Sequence, residues 1–176
     1  MPAVKEQILV CPMKKEDSVS VLEIYQDSIQ FDDATCVMNL PSWEEWSAQH
    51  DPHMRFVAKI ANQVVGFVAL SQVFRSPAYQ GVGEISIYVR KQFRHAGVGT
   101  ALFTCLIQEV DSEEQLRTNG YYMLQSRIFT NNQYSIALHE KMGFRLVGKR
   151  EKILKKKGIW RDVYVYERRA NLEEME

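Results

Sequence analysis

The chain has 176 residues, 45% of them hydrophobic and 25% charged, which is an ordinary globular composition and enough chain for one domain, residues 1–176, with a sizeable core. Its 22 basic residues balance its 22 acidic residues, so the net charge gives no reason to expect nucleic acid or an anionic membrane as the main partner. Any site for a charged ligand must therefore be local.

The first half of the chain alternates between the hydrophobic period of a strand and that of a helix. In chain order, the pattern predicts a strand over 7–12, a helix capped by Asp17 or Ser18 and running to Ile29, a helix capped by Ser42 and ending at His50, and a hairpin of strands 55–60 and 64–74. Residues 31–41 have neither period and predict an irregular surface loop, a candidate wall of a substrate site. A second loop, residues 75–83, leads to the central strand.

The stretch from Glu84 to Val110 changes its period in the middle. Residues 84–89 are β-branched and aromatic, which predicts a strand, and the apolar residues after Thr100 recur at helical spacing. Between them, Arg94-His-Ala-Gly97-Val-Gly99-Thr100 places two glycines where the helix begins. The backbone there can approach another molecule closely and point free N–H groups at it, which is the chemistry of an anion cradle.

A Gly-x-Gly turn is by itself weak support for a phosphate site, and two nucleotide motifs can be excluded. The dinucleotide fingerprint requires a third glycine where this chain has Leu102. The P-loop requires Gly-Lys-Ser/Thr after four spacer residues, and this pattern does not occur here. The phosphate chemistry must therefore belong to another kind of strand-loop-helix unit.

The second half of the chain continues the alternation of elements. In chain order, it predicts a polar extension of the central helix by two turns before Asn119-Gly120, a strand over 121–129, a helix capped by Asn131 or Asn132 and ending at Gly143, and strands 144–154 and 160–166. The turn Lys155 to Lys157 is expected to be solvated, and the charged tail from Glu167 onward to fray. Without internal repeats or a linker, one α/β layered domain is the simplest interpretation.

The spacing Arg94-x-x-Gly97-x-Gly99 after a strand resembles the pyrophosphate-binding signature of the GNAT superfamily of N-acetyltransferases. The resemblance implies an α/β fold with a mixed central sheet of six to seven strands, helices on both faces, and a splay at the central strands that holds acetyl-coenzyme A (acetyl-CoA). Acetyl-CoA would be the cosubstrate, and no metal is expected.

Two further blocks resemble one branch, the phosphinothricin acetyltransferase-like enzymes. Asn132-Gln-Tyr-Ser135-Ile-Ala-Leu-His139-Glu-Lys-Met-Gly-Phe144 is similar to its Asn-x-x-Ser-x-x-Leu-His-Glu-Lys-x-Gly-Phe block, and Gly158-Ile-Trp160-Arg-Asp162-Val163 to its Gly-x-Trp-x-Asp-Val block. Trp160 and Asp162 are expected to support packing or a dimer contact.

The resemblance assigns the coenzyme to the central strand, the glycine loop and the start of the last helix. The implied coenzyme-binding residues are Ile87, Tyr88, Val89, Arg94, His95, Ala96, Gly97, Val98, Gly99, Thr100, Asn132 and Ser135. A backbone N–H near Tyr88 or Val89 would polarise the thioester carbonyl. Asn132 and Ser135 are also an ordinary cap and first-turn residue, and the two roles are compatible.

Acetyl transfer to an amine needs a neutral nitrogen, a polarised carbonyl and a proton for the departing thiolate. Glu84 lies at the end of the central strand away from the glycine loop and matches the general base of the branch, whereas the alternative is a solvated strand-end carboxylate. His139 stands where the superfamily commonly has a tyrosine that protonates the thiolate. The alternative for His139 is a capping or core-edge histidine.

For the acceptor, the resemblance implies contacts from Arg75, Tyr79 and Thr35, with the cation of Arg75 suited to an amino-acid carboxylate. The branch usually has Phe-Glu after Ala-Thr where this chain has Cys36-Val37, so the identity of the amine stays open. The expected activity is acetylation of the primary amine of a small molecule such as an amino acid, phosphinothricin or methionine sulfoximine, by direct attack in a ternary complex. The alternatives are a peptide or protein N-terminal acetyltransferase and a non-catalytic coenzyme A-binding module.

The cysteines and the start of the chain bear on location. Cys11, Cys36 and Cys105 are odd in number and widely spaced, which argues against a disulfide framework and a zinc site. The chain begins without a signal-peptide pattern, and no stretch approaches the roughly 18 apolar residues of a membrane span. A cytoplasmic protein is expected, and a homodimer is expected from the resemblance alone.

Overall fold

A seven-stranded mixed sheet organises the fold in the computed structural model, which describes residues 7–30, 34–112, 114 and 120–170. The strands are β1 (Leu9–Pro12), β2 (Arg55–Ile60), β3 (Gln63–Gln72), β4 (Val82–Val89), β5 (Met123–Phe129), β6 (Arg145–Lys156) and β7 (Ile159–Arg169). Their order in the sheet is β1-β2-β3-β4-β5-β7-β6, and β4–β5 is the only parallel pair among them. The predicted mixed sheet of six to seven strands is confirmed.

Helices cover both faces of this sheet, as predicted. The described helices of more than one turn are α1 (Ser18–Gln30), α2 (Trp43–Gln49), α3 (Val98–Val110) and α4 (Gln133–Lys141). The apolar sides of α1 and α2 pack with Val57 and Phe67 on one face. Those of α3 and α4 pack with Val68 and Leu70 on the other face. Alternate residues of a strand point to opposite faces, so each central strand contributes to both cores.

The helix α3 lies close against the sheet because its buried residues repeat at intervals of four. Val98, Leu102, Leu106 and Val110 are all fully buried. A Cβ atom added at Gly66 of β3 would lie 3.1 to 3.2 Å from the side chains of Val98 and Leu102, so the glycine lets the helix approach. The start of α3, which carries the glycine loop, is thereby fixed relative to β4.

The sheet is splayed between β4 and β5. β4 pairs with β3 over Gly83–Val89, but it pairs with β5 only from Val82 to Glu84. Beyond Glu84 the two parallel strands diverge, so β4 has one edge without a strand partner among the described residues. The backbone of Arg90 donates to Val65 of β3, and because donors alternate along a strand, the N–H groups of Ile87 and Val89 face the splay. The predicted splay is confirmed.

The last hairpin is longer than predicted, and the prediction that the chain frays from Glu167 is wrong. β7 continues to Arg169 because Glu167, Arg168 and Arg169 pair with β5, and Arg168 makes a two-pronged ion pair with Asp111.

The helix α3 ends at Val110, with Asp111 as its cap. The rest of its predicted extension falls largely on residues 113 and 115–119, outside the described residues, as do residues 31–33 of the predicted wall loop. Within the described ranges, no helix has the length and apolar character needed to cross a membrane.

Candidate active site

The glycine loop has the backbone geometry of an anion site. Gly97 is the N-cap of α3 with φ of +89°, a left-handed conformation that a β-carbon disfavours, and no side chain caps this helix end. The first N–H groups of a helix have no acceptor within the helix, so those at the start of α3 are available to a ligand. Their partial positive charge favours a phosphate at this point.

A cavity of about 350 Å³, here named the loop cavity, opens between the loop, β4 and α4. Seven of the predicted coenzyme-binding residues line it: Ile87, Tyr88, Val89, Arg94, His95, Asn132 and Ser135. Asn132 also caps α4, since its side chain accepts a hydrogen bond of 3.0 Å from the backbone N–H of Ser135. The other five, Ala96, Gly97, Val98, Gly99 and Thr100, are not among its lining residues, and the side chain of Val98 belongs to the core. Tyr134 lines the cavity with its ring against His95 and was not predicted.

A second cavity of about 250 Å³, the Glu84 cavity, lies on the other side of Tyr88. Tyr88 and Ala34 line both cavities, so the two adjoin at the splay. The remaining walls come from the end of β3, the end of α2 and residues 34–37. Thr35, one of the predicted acceptor residues, lies in this wall and is buried.

Glu84 points into this second cavity as one half of an ion pair. Its Oε1 accepts a hydrogen bond of 2.5 Å from Nε of Arg127, and its Oε2 lies 3.4 Å from Nε2 of Gln125. The Glu84 side chain is only 16% exposed, so it is not the solvated strand-end carboxylate of the alternative interpretation. Burial lowers the pKa of Arg127, and the charge and hydrogen bond of Glu84 outweigh that effect and raise the pKa above its ordinary value.

The arrangement of a helix-start anion site, a splayed strand and a half-buried carboxylate agrees with a known family. A family model described as the acetyltransferase (GNAT) family matches residues 18–144. The chain belongs to this family. GNAT enzymes use acetyl-CoA, and the backbone donors at the start of α3 and the loop cavity suit its pyrophosphate and pantetheine arm.

Individual relatives show which enzymes resemble this GNAT protein. The L-methionine sulfoximine/L-methionine sulfone acetyltransferase of Pseudomonas aeruginosa is 26% identical over 84% of this chain and 86% of its own length. A phosphinothricin acetyltransferase of Sinorhizobium meliloti, solved with acetyl-CoA, is 25% identical with a TM-score of 0.82, covering 94% of this chain and 89% of its own. The ribosomal-protein-alanine N-acetyltransferase of Brucella melitensis is 25% identical with a TM-score of 0.80, covering 92% and 99%.

His139, predicted as the acid that protonates the thiolate, lies in the core of this GNAT fold. Its Nδ1 lies 2.7 Å from the carbonyl oxygen of Ser135 and its Nε2 lies 2.8 Å from Oγ of Ser126. A carbonyl oxygen can only accept, so Nδ1–H donates to it and Nε2 accepts from the serine hydroxyl. Burial lowers the pKa of His139 to about 4, and the ring packs edge-on against Phe103 and Phe144. The geometry favours the core-edge alternative.

Arg75 and Tyr79, predicted to contact the acceptor, do not line either cavity. Both are exposed in the loop before β4, and the ring of Tyr79 packs on Phe74 at 4.7 Å. The structure therefore does not bring them into the cavity wall that Glu84 and Thr35 share.

Lys156, expected in a solvated turn, is instead buried, which corrects that prediction. Its Nζ donates a hydrogen bond of 2.7 Å to the carbonyl oxygen of Thr35, and its side chain is 1% exposed. Only the residues around Gly158 form the turn, since β6 extends through Lys156. The last hairpin is thus attached to the wall of the Glu84 cavity.

His50 is another residue of this cavity that the sequence did not suggest. Its Nδ1 lies 2.7 Å from the carbonyl oxygen of Trp46 and therefore carries the proton, while Nε2 lies 3.5 Å from Oγ of Ser86. Burial is the main cause that lowers the pKa of His50, so the ring is neutral at pH 7. It offers an acceptor atom to a ligand without adding charge.

Proposed function

We propose that this acetyltransferase moves acetyl from acetyl-CoA to the primary amine of an amino acid or a close analogue, by direct attack in a ternary complex. The observation that carries the proposal is the junction of the loop cavity with a second cavity of about 250 Å³ that holds the half-buried carboxylate of Glu84. Such a volume suits a small molecule. The named activities of the Pseudomonas and Sinorhizobium relatives, on methionine sulfoximine and phosphinothricin, support the same class of acceptor.

The proposed chemistry uses three features of the two adjoining cavities. Glu84 accepts a proton from the acceptor ammonium, which leaves a neutral nitrogen able to attack the thioester carbon. The backbone N–H of Val89 faces the splay and is the donor proposed for the carbonyl oxygen. As the new carbon–nitrogen bond forms and the carbon–sulfur bond breaks, the leaving thiolate takes a proton. Tyr134 or water replaces His139 as the proposed source of that proton, because His139 lies outside the loop cavity.

The test is a screen of acceptors in which thiol release from acetyl-CoA is followed. Amino acids, methionine sulfone, methionine sulfoximine and phosphinothricin should be turned over, and polyamines and short peptides should not. Product masses should show one acetyl group on the amine. Turnover of peptides alone would contradict the proposal.

Acetylation of a protein N-terminus is the second candidate, favoured by the name of the Brucella neighbour. A peptide needs a groove that continues beyond the amine, and it has no carboxylate one carbon away from that amine. The two candidates are separated by comparing the acetylation rate of free alanine with that of a peptide that begins with alanine, at equal concentrations. Faster acetylation of free alanine supports the amino-acid acceptor, and faster acetylation of the peptide supports the protein N-terminus.

We also propose a homodimer formed through the β6–β7 hairpin. Exposed apolar side chains lie along these two strands: Leu146, Val147, Ile153, Ile159 and Trp160. Ile159 and Trp160 pair with Lys156 and Lys155 at the turn end of the hairpin, and exposed apolar surface there suits a subunit contact. Light scattering during size-exclusion chromatography should give a mass twice that of the 20.5 kDa chain. The substitution Trp160→Glu should lower the measured mass towards that of a single chain.

A cytoplasmic location is proposed from the cysteines. Cys11, Cys36 and Cys105 are all free thiols, and Cys36 is exposed in the wall of the Glu84 cavity. A reducing compartment would keep these thiols reduced. Cell fractionation with a tagged chain would test the location.

A further inference from the structure

The charge distribution of the Glu84 cavity is unusually simple. Among the described residues that line it, Glu84 and Arg127 are the only ones with a full charge, since His50 is neutral. They form one ion pair, so the cavity wall presents a negative and a positive group side by side. A ligand that fits this wall by charge must carry both signs close together.

The Arg127 guanidinium is able to bind a second partner. Only its Nε is used for Glu84, and its terminal nitrogens make no other hydrogen bond within the described part of the chain. The side chain is 51% exposed, and it also lines a neighbouring cavity of about 190 Å³ that shares Thr35 and Cys36 with the Glu84 cavity. A guanidinium presents five donors in a planar fork that matches a carboxylate.

The same ion pair limits what Glu84 can do alone. One of its oxygens already accepts a short hydrogen bond from Arg127, so the guanidinium occupies one of the positions from which an ammonium group could donate to that oxygen. A ligand carboxylate that attracts the guanidinium would free that position. The ligand's own ammonium group could then take the place that the guanidinium leaves.

From this geometry we infer that the Glu84–Arg127 pair recognises the zwitterion of an α-amino acid, with Arg127 binding the carboxylate and Glu84 facing the ammonium group. The inference rests on the proposed function and deepens it, because it names the substrate feature that is read and the residue that reads it. Each charge of the acceptor meets an opposite charge of the wall, so neither protein charge is left unpaired when water is excluded. Binding and activation are coupled, since the carboxylate that holds the acceptor also frees the position at Glu84 from which the ammonium group donates its proton.

The experiment compares an amino-acid acceptor with its primary amide, for example L-methionine sulfone and L-methionine sulfone amide. The amide keeps the amine and the side chain but loses the negative charge. The variant is Arg127→Gln. The control is Arg145→Gln, because Arg145 also pairs with a glutamate, Glu167, but lies on the outer hairpin and lines neither cavity.

The wild-type protein and the control should prefer the acid over the amide in kcat/KM by about 10- to 100-fold, the range expected for a charge-assisted pair. In Arg127→Gln this preference should fall to about one, mainly through KM for the acid, while KM for acetyl-CoA changes less than about twofold. Arg127→Lys, which keeps the charge but loses the fork, should be intermediate. Thermal melting of each variant shows that the fold is intact.

Two results would overturn the inference. If Arg127→Gln lowers kcat/KM equally for the acid and the amide, Arg127 only positions Glu84 and does not read the carboxylate. If the wild-type protein uses acid and amide equally well, the carboxylate is not read at all. Both results leave the proposed acetylation of amino acids standing, whereas failure of the wild-type protein to acetylate any amino acid removes that proposal as well.

Discussion

Replacing His139 by glutamine separates a structural histidine from a catalytic acid. Glutamine is neutral at every pH and can still contact Ser126, but it cannot titrate. If His139 is a core residue, His139→Gln should change the pH dependence of stability and lower turnover by less than about tenfold. If it supplied the proton to the thiolate, turnover should fall by about 10²-fold or more at pH 7.

The expected change in the pH dependence of stability follows from the burial of the His139 ring. Burial lowers the pKa of His139 to about 4 in the folded protein, whereas the unfolded chain has a value near 6.5. The neutral ring therefore contributes stability that is fully present above pH 6.5 and is lost as the pH falls towards 4, because the unfolded state binds the proton first. Between pH 7 and pH 5 this linkage amounts to about 2 kcal/mol of unfolding free energy.

The assay is urea unfolding of wild type and His139→Gln at pH 7 and at pH 5. The loss of unfolding free energy between the two pH values should be smaller in the variant by about 2 kcal/mol. His53→Gln is the matched control, because His53 is exposed, and its pH dependence should equal that of wild type. Equal pH dependence in His139→Gln and wild type would refute the burial argument, and a large loss of turnover with unchanged stability would restore the catalytic role.

Three further changes test other parts of the site. Gly97→Ala should weaken coenzyme A binding by at least about tenfold in calorimetry, since a side chain at a φ of +89° distorts the anion cradle at a cost of about 1–2 kcal/mol. Gly158→Ala is the control, because Gly158 has a similar φ of +80° but lies in a distant turn, and it should leave the affinity for coenzyme A unchanged. Lys156→Met removes the hydrogen bond to the carbonyl oxygen of Thr35 and should raise KM for the acceptor several-fold without changing KM for acetyl-CoA, while exposed Lys155→Met should change neither. Arg75→Ala should change KM for the acceptor by less than about twofold, because Arg75 lies outside the Glu84 cavity, and a large rise would show that its loop closes over the acceptor.

Local chemistry made much of the fold predictable from the sequence. Ser42 caps α2 with its side chain and Glu45 completes the reciprocal capping box, and Asn132 caps α4 in the same way that its position suggested. The turn before β3 uses Ala61 and Asn62 with positive φ, and the hydrophobic period marked each strand to within a few residues. These features depend only on neighbours in the sequence.

The parts of the site that were missed depend on distant partners. Arg127 meets Glu84 across 43 positions because β5 lies parallel to β4, and no local pattern specifies that register. Lys156 binds Thr35, which lies 121 positions earlier in the chain, and no local pattern indicates that contact. The neighbouring lysines instead suggested a solvent-exposed turn. A signal did exist for His139, since it lies three residues after Ile136 and therefore on the same buried side of α4.

The most direct test of the central claim is the rate of Glu84→Gln across pH with the best amino-acid acceptor. Glutamine keeps the shape and an oxygen for Arg127 but cannot accept the ammonium proton. Turnover at pH 7 should fall by about 10²- to 10⁴-fold, with coenzyme A affinity unchanged and with a deficit that shrinks as the pH approaches the pKa of the acceptor amine. Glu23→Gln, which alters a carboxylate paired with Arg90 outside both cavities, should behave like wild type. Nearly full activity of Glu84→Gln at neutral pH would contradict the account and place the base elsewhere.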